Sequence, residues 1–219
     1  MMRGIHPAVF LIAIAACMAA GCWIGHSATV EATMAEAQSP AHPATYTVSS
    51  ADMQLPELPT GCEATAGATL LRLNGIVASK MDVAAAMPKS GGDFVHAFWG
   101  DPETVNGWAI MAPGMCETLD RFIPNGRVAV DLTGSALDDL PVPCQVWTTI
   151  ALGEPYIQAQ QEGYNLMVNT HCMVLMSVGP DSVRVIDPLE GSTSYDRRLF
   201  ESRYNSCGKQ AIAIETREI

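Results

Sequence analysis

The stretch TGCEATAGATLLRLNG, residues 60–75, decides the fold that we predict for this chain. A threonine followed three positions later by glutamate, here Thr60 and Glu63, is the capping-box pattern at which helices begin. The stretch ends in an asparagine-glycine pair, which is a typical helix stop signal. We therefore predict a helix over 61–73, with Cys62 in its first turn.

A cysteine in the first turn of a helix is a candidate nucleophile. The unpaired backbone N–H groups and the positive end of the helix dipole favour thiolate over thiol, and so lower a thiol pKa that is ordinarily about 8.5. Of the seven cysteines, Cys17 and Cys22 lie in the N-terminal segment. The other five are an odd number, so at least one thiol is unpaired unless it pairs between chains. The alternative interpretation of Cys62 is a small buried residue beside a helix cap.

A base and a carboxylate that could orient it are present further along the chain. His171 begins one strand of a predicted hairpin and Asp187 ends the next, an arrangement that can fix the imidazole tautomer beside a thiolate. A symmetric turn would pair Asp187 with Val174, on the opposite face from His171, so a bulge or a shifted register is required. Alternatively, His171 and Asp187 are a structural histidine and a turn residue. His96 is the second-choice base.

Composition excludes several classes of function. The 219 residues carry a net charge of −11, so no basic surface exists to neutralise a nucleic acid backbone. Hydrophobic residues make up 48% and charged residues 16%, which excludes wholesale disorder. No cysteine and histidine spacing is typical of zinc, and no phosphate-binding loop is present, so we expect neither a metal nor an ATPase activity.

The N-terminal region has the features of an export segment. Residues 8–25 are apolar and uncharged, a length between a signal peptide and a membrane helix. We predict that residues 1–26 are a signal peptide or a membrane anchor, or that Cys22 is lipidated. Residues 27–51 are predicted to be a flexible linker, and residues 52–219 the folded domain, lying in the cell envelope or secreted. Membrane association is expected only through the N-terminal segment.

Caps and hydrophobic periods predict an α+β fold, because helices come mostly first and strands mostly later. The further helices are predicted over 80–86, 112–122 and 196–205. The strands are predicted over 128–132, 145–150, 171–178, 183–186 and 210–214.

Several ordered blocks resemble one family. They are QLPELPTGCEAT at 54–65, FWGDP at 98–102, NG at 106–107, DLTGS at 131–135, THC at 170–172, DPL at 187–189, YN at 204–205 and GKQ at 208–210. In these residues the sequence resembles the stand-alone papain-like cysteine peptidases of the peptidase C39-like group, which are similar to the double-glycine leader peptidases that process bacteriocins.

The resemblance implies a papain-like fold, with a nucleophile helix packed on an antiparallel sheet, and a role for each of four residues. It makes Cys62 the nucleophile, His171 the general base and acid, Asp187 the orienting residue, and Gln54 a side-chain donor to the oxyanion. The alternative for Gln54 is a solvated residue at the end of the linker. The sequence departs from the family pattern at Cys116 and Cys144.

From residues and resemblance together we expect an exported cysteine peptidase without a cofactor, which acts on a peptide or protein substrate. An acyltransferase or transpeptidase with the same site is one alternative, since an amine can resolve an acyl-enzyme. A catalytically silent binding module of the cell surface is another. The substrate sequence, the oligomeric state and any disulfide among Cys116, Cys144, Cys172 and Cys207 stay open.

Overall fold

The computed structural model describes residues 46–217. Within this range the helices are α1 (Cys62–Leu73), α2 (Lys80–Ala86), α3 (Ala112–Asp120) and α4 (Arg197–Ser206). The strands are β1 (Lys89–Ser90), β2 (Phe98–Trp99), β3 (Arg127–Asp131), β4 (Cys144–Thr149), β5 (Ile157–Gln161), β6 (Tyr164–Met167), β7 (Thr170–Val178), β8 (Ser182–Asp187), β9 (Gly191–Asp196) and β10 (Ala211–Thr216). Each predicted helix and strand corresponds to one of these elements, with ends that differ by one or two residues.

One six-stranded antiparallel sheet forms the centre of the domain, in the order β3-β10-β4-β7-β8-β9. All six residues of β4 are buried, as expected for an inner strand that is covered on both faces. Two small pairs lie outside this sheet, the parallel pair β1-β2 and the antiparallel hairpin β5-β6. Helices with an antiparallel sheet confirm the predicted α+β class.

Helices cover the sheet on both faces. On one face lies α1, whose residues from Cys62 to Leu71 are all buried. Its small side chains let neighbouring elements approach closely, since a Cβ atom at Gly67 would come within 3.0 Å of Leu119 on α3. On the other face, Phe200 and Tyr204 of α4 belong to a second apolar core. This packing fixes the start of α1 over β7.

The predicted capping box at the start of α1 is wrong. Gly61 is the N-cap residue, and no side chain caps the helix. The Thr60 hydroxyl instead donates to the carbonyl of Thr104 at 2.9 Å, which ties it to a neighbouring loop. The Glu63 carboxyl is buried and contacts the sulfur of Cys62. The helix therefore begins where predicted, but for a different local reason.

Five strands have no counterpart in the sequence prediction: the two-residue strands β1 and β2, and the longer strands β5, β6 and β9. β9 reads GSTSYD and lies at the edge of the sheet. Its positions alternate between exposed and less exposed, only Gly191 is buried, and its polar composition gives no strand signal in the sequence. β5 and β6 form a largely polar hairpin closed at Glu162 and Gly163, which both have positive φ. Polar edge strands lack the apolar run by which a strand is recognised in a sequence.

The ordered part of the domain begins before the boundary predicted at residue 52. The hydroxyl groups of Tyr46 and Thr69 each donate to the Asp52 carboxylate at 2.9 Å, and Arg72 forms an ion pair with it. Asp52 is fully buried, so these contacts attach residues 46–52 to α1. Residues 46–51, which the sequence prediction assigns to the linker, thus contact the folded domain.

The predictions of a signal peptide, an anchor or lipidation at Cys22 lie outside the described residues. Among residues 46–217, no helix is both long and apolar enough to cross a membrane.

Candidate active site

Cys62 is the first residue of α1 and lines a cavity of about 480 Å³. The residue is only 5% exposed. The first backbone N–H groups of a helix have no partner within the helix, so a negative charge is favoured at this position. Gln54 and His171 line the same cavity. The structure thus brings three of the four predicted site residues to one place.

His171 and Asp187 lie on the neighbouring strands β7 and β8 and are joined by a hydrogen bond. Nε2 of His171 is 2.7 Å from Oδ1 of Asp187, and both residues are 1% exposed. Val178 pairs with Val183 near the turn, whereas Val174 pairs with Ile186 after a register shift. This register places Asp187 opposite Met173. Because Met173 and His171 are two positions apart on β7, the side chains of Asp187 and His171 lie on the same face of the sheet. The structure therefore contains the bulge that the sequence required.

Two further contacts hold the Asp187 carboxylate. The backbone N–H of Leu189 donates to Oδ1 at 2.8 Å, and the Tyr195 hydroxyl donates to Oδ2 at 2.9 Å. Burial raises the pKa of Asp187, but the hydrogen bond from His171 and these two donors outweigh burial and lower it. The carboxylate is thus ionised and fixed, as an orienting residue must be. Tyr195 was missed in the sequence because it lies on the unpredicted strand β9.

The electrostatics of the site favour a thiolate beside an imidazolium. The pKa of Cys62 lies well below its ordinary value, mainly because Cys172 donates a side-chain hydrogen bond, with a further contribution from His171. Burial alone would lower the pKa of His171, but hydrogen bonds to Asp187 and Cys62 raise it to about 9. Since Nε2 faces Asp187, the other ring nitrogen, Nδ1, is the one available to the sulfur.

Gln54 is held rigidly at the cavity wall and is not solvated. Its backbone N–H donates to the carbonyl of Pro188 at 2.8 Å, and its carbonyl accepts from Leu58 at 3.1 Å. Nε2 donates one hydrogen to the carbonyl of Pro59 at 2.9 Å. A primary amide carries two N–H donors, so the second can serve a group bound in the cavity. The residue is 4% exposed.

A buried polar cluster lies behind Cys62. The sulfur atoms of Cys62 and Cys172 and a carboxyl oxygen of Glu63 lie within 4.8 Å of one another. Sγ of Cys62 is 3.3 Å from Oε2 of Glu63. Gln145 donates to the backbone carbonyl of Glu63 at 3.3 Å. Sequence reasoning missed this cluster, although two of its members directly follow Cys62 and His171.

The two neighbours of Cys62 in this cluster both have raised pKa values. Burial, together with the charge of the Cys62 thiolate, raises the pKa of Glu63 well above its ordinary value. Burial and the contact with Cys62 raise the pKa of Cys172 in the same way. Two thiols and a carboxyl are donors that a thiophilic metal accepts. With its raised pKa, however, Cys172 is a thiol that can donate to the Cys62 sulfur, whereas Sγ of Cys62 and Oε2 of Glu63 share one hydrogen bond.

The remaining candidates lie elsewhere. His96 is on the surface, with Nε2 at 3.2 Å from Oε2 of Glu162, and does not line the cavity. Cys116, Cys144, Cys172 and Cys207 are all free thiols, as is Cys62.

Comparison with known proteins agrees with the geometry. The family model for the Peptidase_C39 like family matches residues 45–212. A protein from Bacillus anthracis, described as a candidate C39-like peptidase, is 27% identical with a TM-score of 0.69, over 76% of this chain and 94% of that one. Comparison with curated proteins finds no significant match.

Two further solved structures are more distant. One is a double-glycine motif protease from an AMS/PCAT transporter in complex with the leader peptide, with 14% identity and a TM-score of 0.48, over 75% of this chain and 89% of that one. The other is the peptidase domain of Streptococcus ComA, with 14% identity and a TM-score of 0.46, over 72% and 93%.

Proposed function

The chain belongs to the Peptidase_C39 like family, and we propose that it hydrolyses peptide bonds with Cys62 as nucleophile, His171 as general acid and base, and Asp187 as the residue that orients the imidazole. The observation that carries the proposal is the buried 2.7 Å contact between His171 and Asp187, behind a cavity that Cys62 also lines. The general requirement for such a site is a nucleophile, a base and a group that orients the base.

In the proposed acylation step, the Cys62 thiolate attacks the carbonyl carbon of the scissile bond. The second Nε2 hydrogen of Gln54 and the backbone N–H of Cys62 stabilise the oxyanion. His171 then gives the proton on Nδ1 to the leaving amine as the C–N bond breaks. Asp187 keeps its contact with Nε2 throughout, so the ring delivers the proton without having to turn.

In the proposed deacylation step, His171 is the base. In the acyl-enzyme the Cys62 sulfur carries no negative charge, and His171 is neutral because it has given its Nδ1 proton to the leaving amine. It takes a proton from a water molecule, which attacks the thioester carbonyl, and the C–S bond breaks to regenerate the thiolate. No cofactor enters either step.

We propose a peptide or protein as the substrate, bound along the rim of the cavity. Leu55, Val105, Trp108 and Ile150 line the cavity and are all more than one-third exposed. Exposed apolar side chains around a concave site are typical of ligand binding. The export of the protein through residues 1–26, with the domain in the cell envelope or secreted, is also part of the proposal and is supported by the apolar N-terminal sequence alone.

The test is thiol labelling combined with product analysis. At neutral pH, iodoacetamide is expected to alkylate Cys62 much faster than the buried thiol of Cys144, whose pKa is raised by burial. A Cys62→Ala variant is expected to lose hydrolysis of a casein or peptide-library substrate and to keep its thermal stability, while Cys144→Ala serves as the matched cysteine control. Equal labelling of Cys62 and Cys144 would contradict the enzyme proposal and favour the silent binding module. Products that carry an added amine would identify a transpeptidase.

A further inference from the structure

The sulfur of Cys172 lies next to the nucleophile, and the proposed peptidase mechanism does not consume it. Cys172 is on β7 and Cys62 begins α1, and these two elements pack directly against each other. The two Sγ atoms are no more than 4.8 Å apart and both residues belong to the same apolar core. Because a disulfide bond is about 2 Å long, the two sulfur atoms have to approach each other by no more than about 3 Å to form one.

We propose that Cys62 and Cys172 are a peroxide-reactive pair, in which a hydroperoxide oxidises Cys62 and Cys172 then closes a reversible disulfide with it. The pair is a redox modification site inside the cavity wall. Its oxidised form lacks the free Cys62 sulfur and is therefore inactive as a peptidase, and reduction by a thiol restores it.

The two cysteines have the complementary properties that such a pair needs. Cys62 is the thiolate partner, lines the cavity and is therefore within reach of a small oxidant. Cys172 is fully buried and protonated, so it does not itself react with the oxidant. Its thiol is also the first cause of the lowered pKa of Cys62.

The other cysteines of the described range are less suited to resolve an oxidised Cys62. Cys144 belongs to the second core, on the other face of the sheet. The sulfur of Cys207 donates to the carbonyl of Thr148 at 3.1 Å, and Cys116 lies on α3. Among these thiols, Cys172 is therefore the one placed to form a disulfide with Cys62.

The chemistry balances with a hydroperoxide as the only added reactant. The Cys62 thiolate attacks one peroxide oxygen, so that an S–O bond forms, the O–O bond breaks, and His171 gives its proton to the leaving hydroxide. The sulfur of Cys172 then attacks the sulfenic acid sulfur, the S–O bond breaks, and the released hydroxide takes the Cys172 proton to leave as water. Two thiols are oxidised to one disulfide, and hydrogen peroxide is reduced to two molecules of water.

The test measures mass and therefore does not depend on hydrolysis. The full chain is reduced, desalted, treated with hydrogen peroxide at neutral pH, and quenched with N-ethylmaleimide. The wild type is expected to lose the mass of two hydrogens and two alkylatable thiols, and dithiothreitol is expected to restore both. Peptide mapping is expected to find Cys62 crosslinked to Cys172, and it separates this bond from any other among the seven cysteines.

Two serine variants complete the experiment. In Cys172→Ser, Cys62 is expected to gain oxygen atoms. Dithiothreitol is expected to reduce the sulfenic acid, but not the sulfinic or sulfonic acid that forms after it. The matched variant Cys207→Ser is expected to form the same crosslink as the wild type. Irreversible oxidation of Cys62 in the wild type, or a crosslink to another cysteine, overturns the proposal. If Cys172→Ser does not fold, the wild-type map decides alone. A chain that forms the crosslink but hydrolyses no peptide after it has been fully reduced refutes the peptidase proposal only.

Discussion

Replacing Glu63 by glutamine is expected to change how stability depends on pH. The Glu63 carboxyl is fully buried, and Oε1 has no hydrogen-bond partner among the described residues. Its pKa is raised well above the ordinary value of 4.5, first by burial and then by the Cys62 thiolate. Above pH 4.5, the unfolded chain has therefore lost a proton that the folded protein still holds. Stability must then fall as pH rises, up to the pKa of the folded state.

The size of this loss of stability follows from the single proton that Glu63 releases on unfolding. Each pH unit between the two pKa values removes about 1.4 kcal/mol from the free energy of unfolding. Glutamine has nearly the same shape and does not titrate, so Glu63→Gln lacks this decline. Any packing cost of the amide is independent of pH and adds a constant offset. The free energy of unfolding of Glu63→Gln, relative to that of the wild type, is thus expected to increase as pH rises.

The assay is urea denaturation between about pH 5 and pH 8, with the two proteins compared at each pH. Glu117→Gln, an exposed glutamate on α3, is the matched control and is expected to show no such trend. In a Cys62→Ala background the decline is expected to end at a lower pH, because the thiolate charge that helps to raise the pKa is absent. A difference between Glu63→Gln and wild type that stays constant over this range would refute the protonated, buried carboxyl.

Four further outcomes are expected. Gln54→Ala should lower kcat by a factor of about 100 to 1,000 without unfolding, because one oxyanion donor is lost, and steady-state kinetics with circular dichroism checks this. Asp187→Asn should keep more activity than His171→Ala, since the amide oxygen can still accept from Nε2; equal losses in kcat/KM would contradict the orienting role. The pH profile of kcat/KM should fall above the His171 pKa of about 9, where the imidazolium that protonates the leaving group is lost, whereas alkylation of Cys62 should not fall there. Asp52→Ala should cost about 3 to 5 kcal/mol in urea denaturation, because it leaves the half-buried arginine partner of this carboxylate without its charge pair.

Sequence reasoning found the elements whose signals are local and missed those whose signals are not. The helix that begins at Cys62 was predicted because its end signals and small apolar residues lie within one stretch. The pairing of His171 with Asp187 required a bulge, and the need for it follows from counting residues across the turn. The position of that bulge depends on side-chain packing along the whole of β7, which a sequence does not display.

The polar cluster behind Cys62 shows why the rest could not be predicted. The Thr60 and Glu63 spacing matches a capping box, yet a tertiary hydrogen bond removes Thr60 from the helix. Burial then turns Glu63 from a capping carboxylate into a neutral acid. Local patterns assume a solvated helix end, and this end is buried. Tyr195 could not be found either, because its strand is polar and is recognised only by its partner in the sheet.

Charge balance connects the peptidase site with the proposed redox pair. The thiolate of Cys62, the imidazolium of His171 and the carboxylate of Asp187 leave one net negative charge in a region that is almost fully buried. A second ionisation at Glu63 or Cys172 would add to it at high cost, and this is why both keep their protons. A disulfide between Cys62 and Cys172 would remove the thiolate charge. The pKa of His171 should then fall below about 9, and Glu63 should lose part of the repulsion that keeps it protonated. Oxidation is thus expected to weaken the pH dependence of stability that Glu63 imposes on the reduced protein.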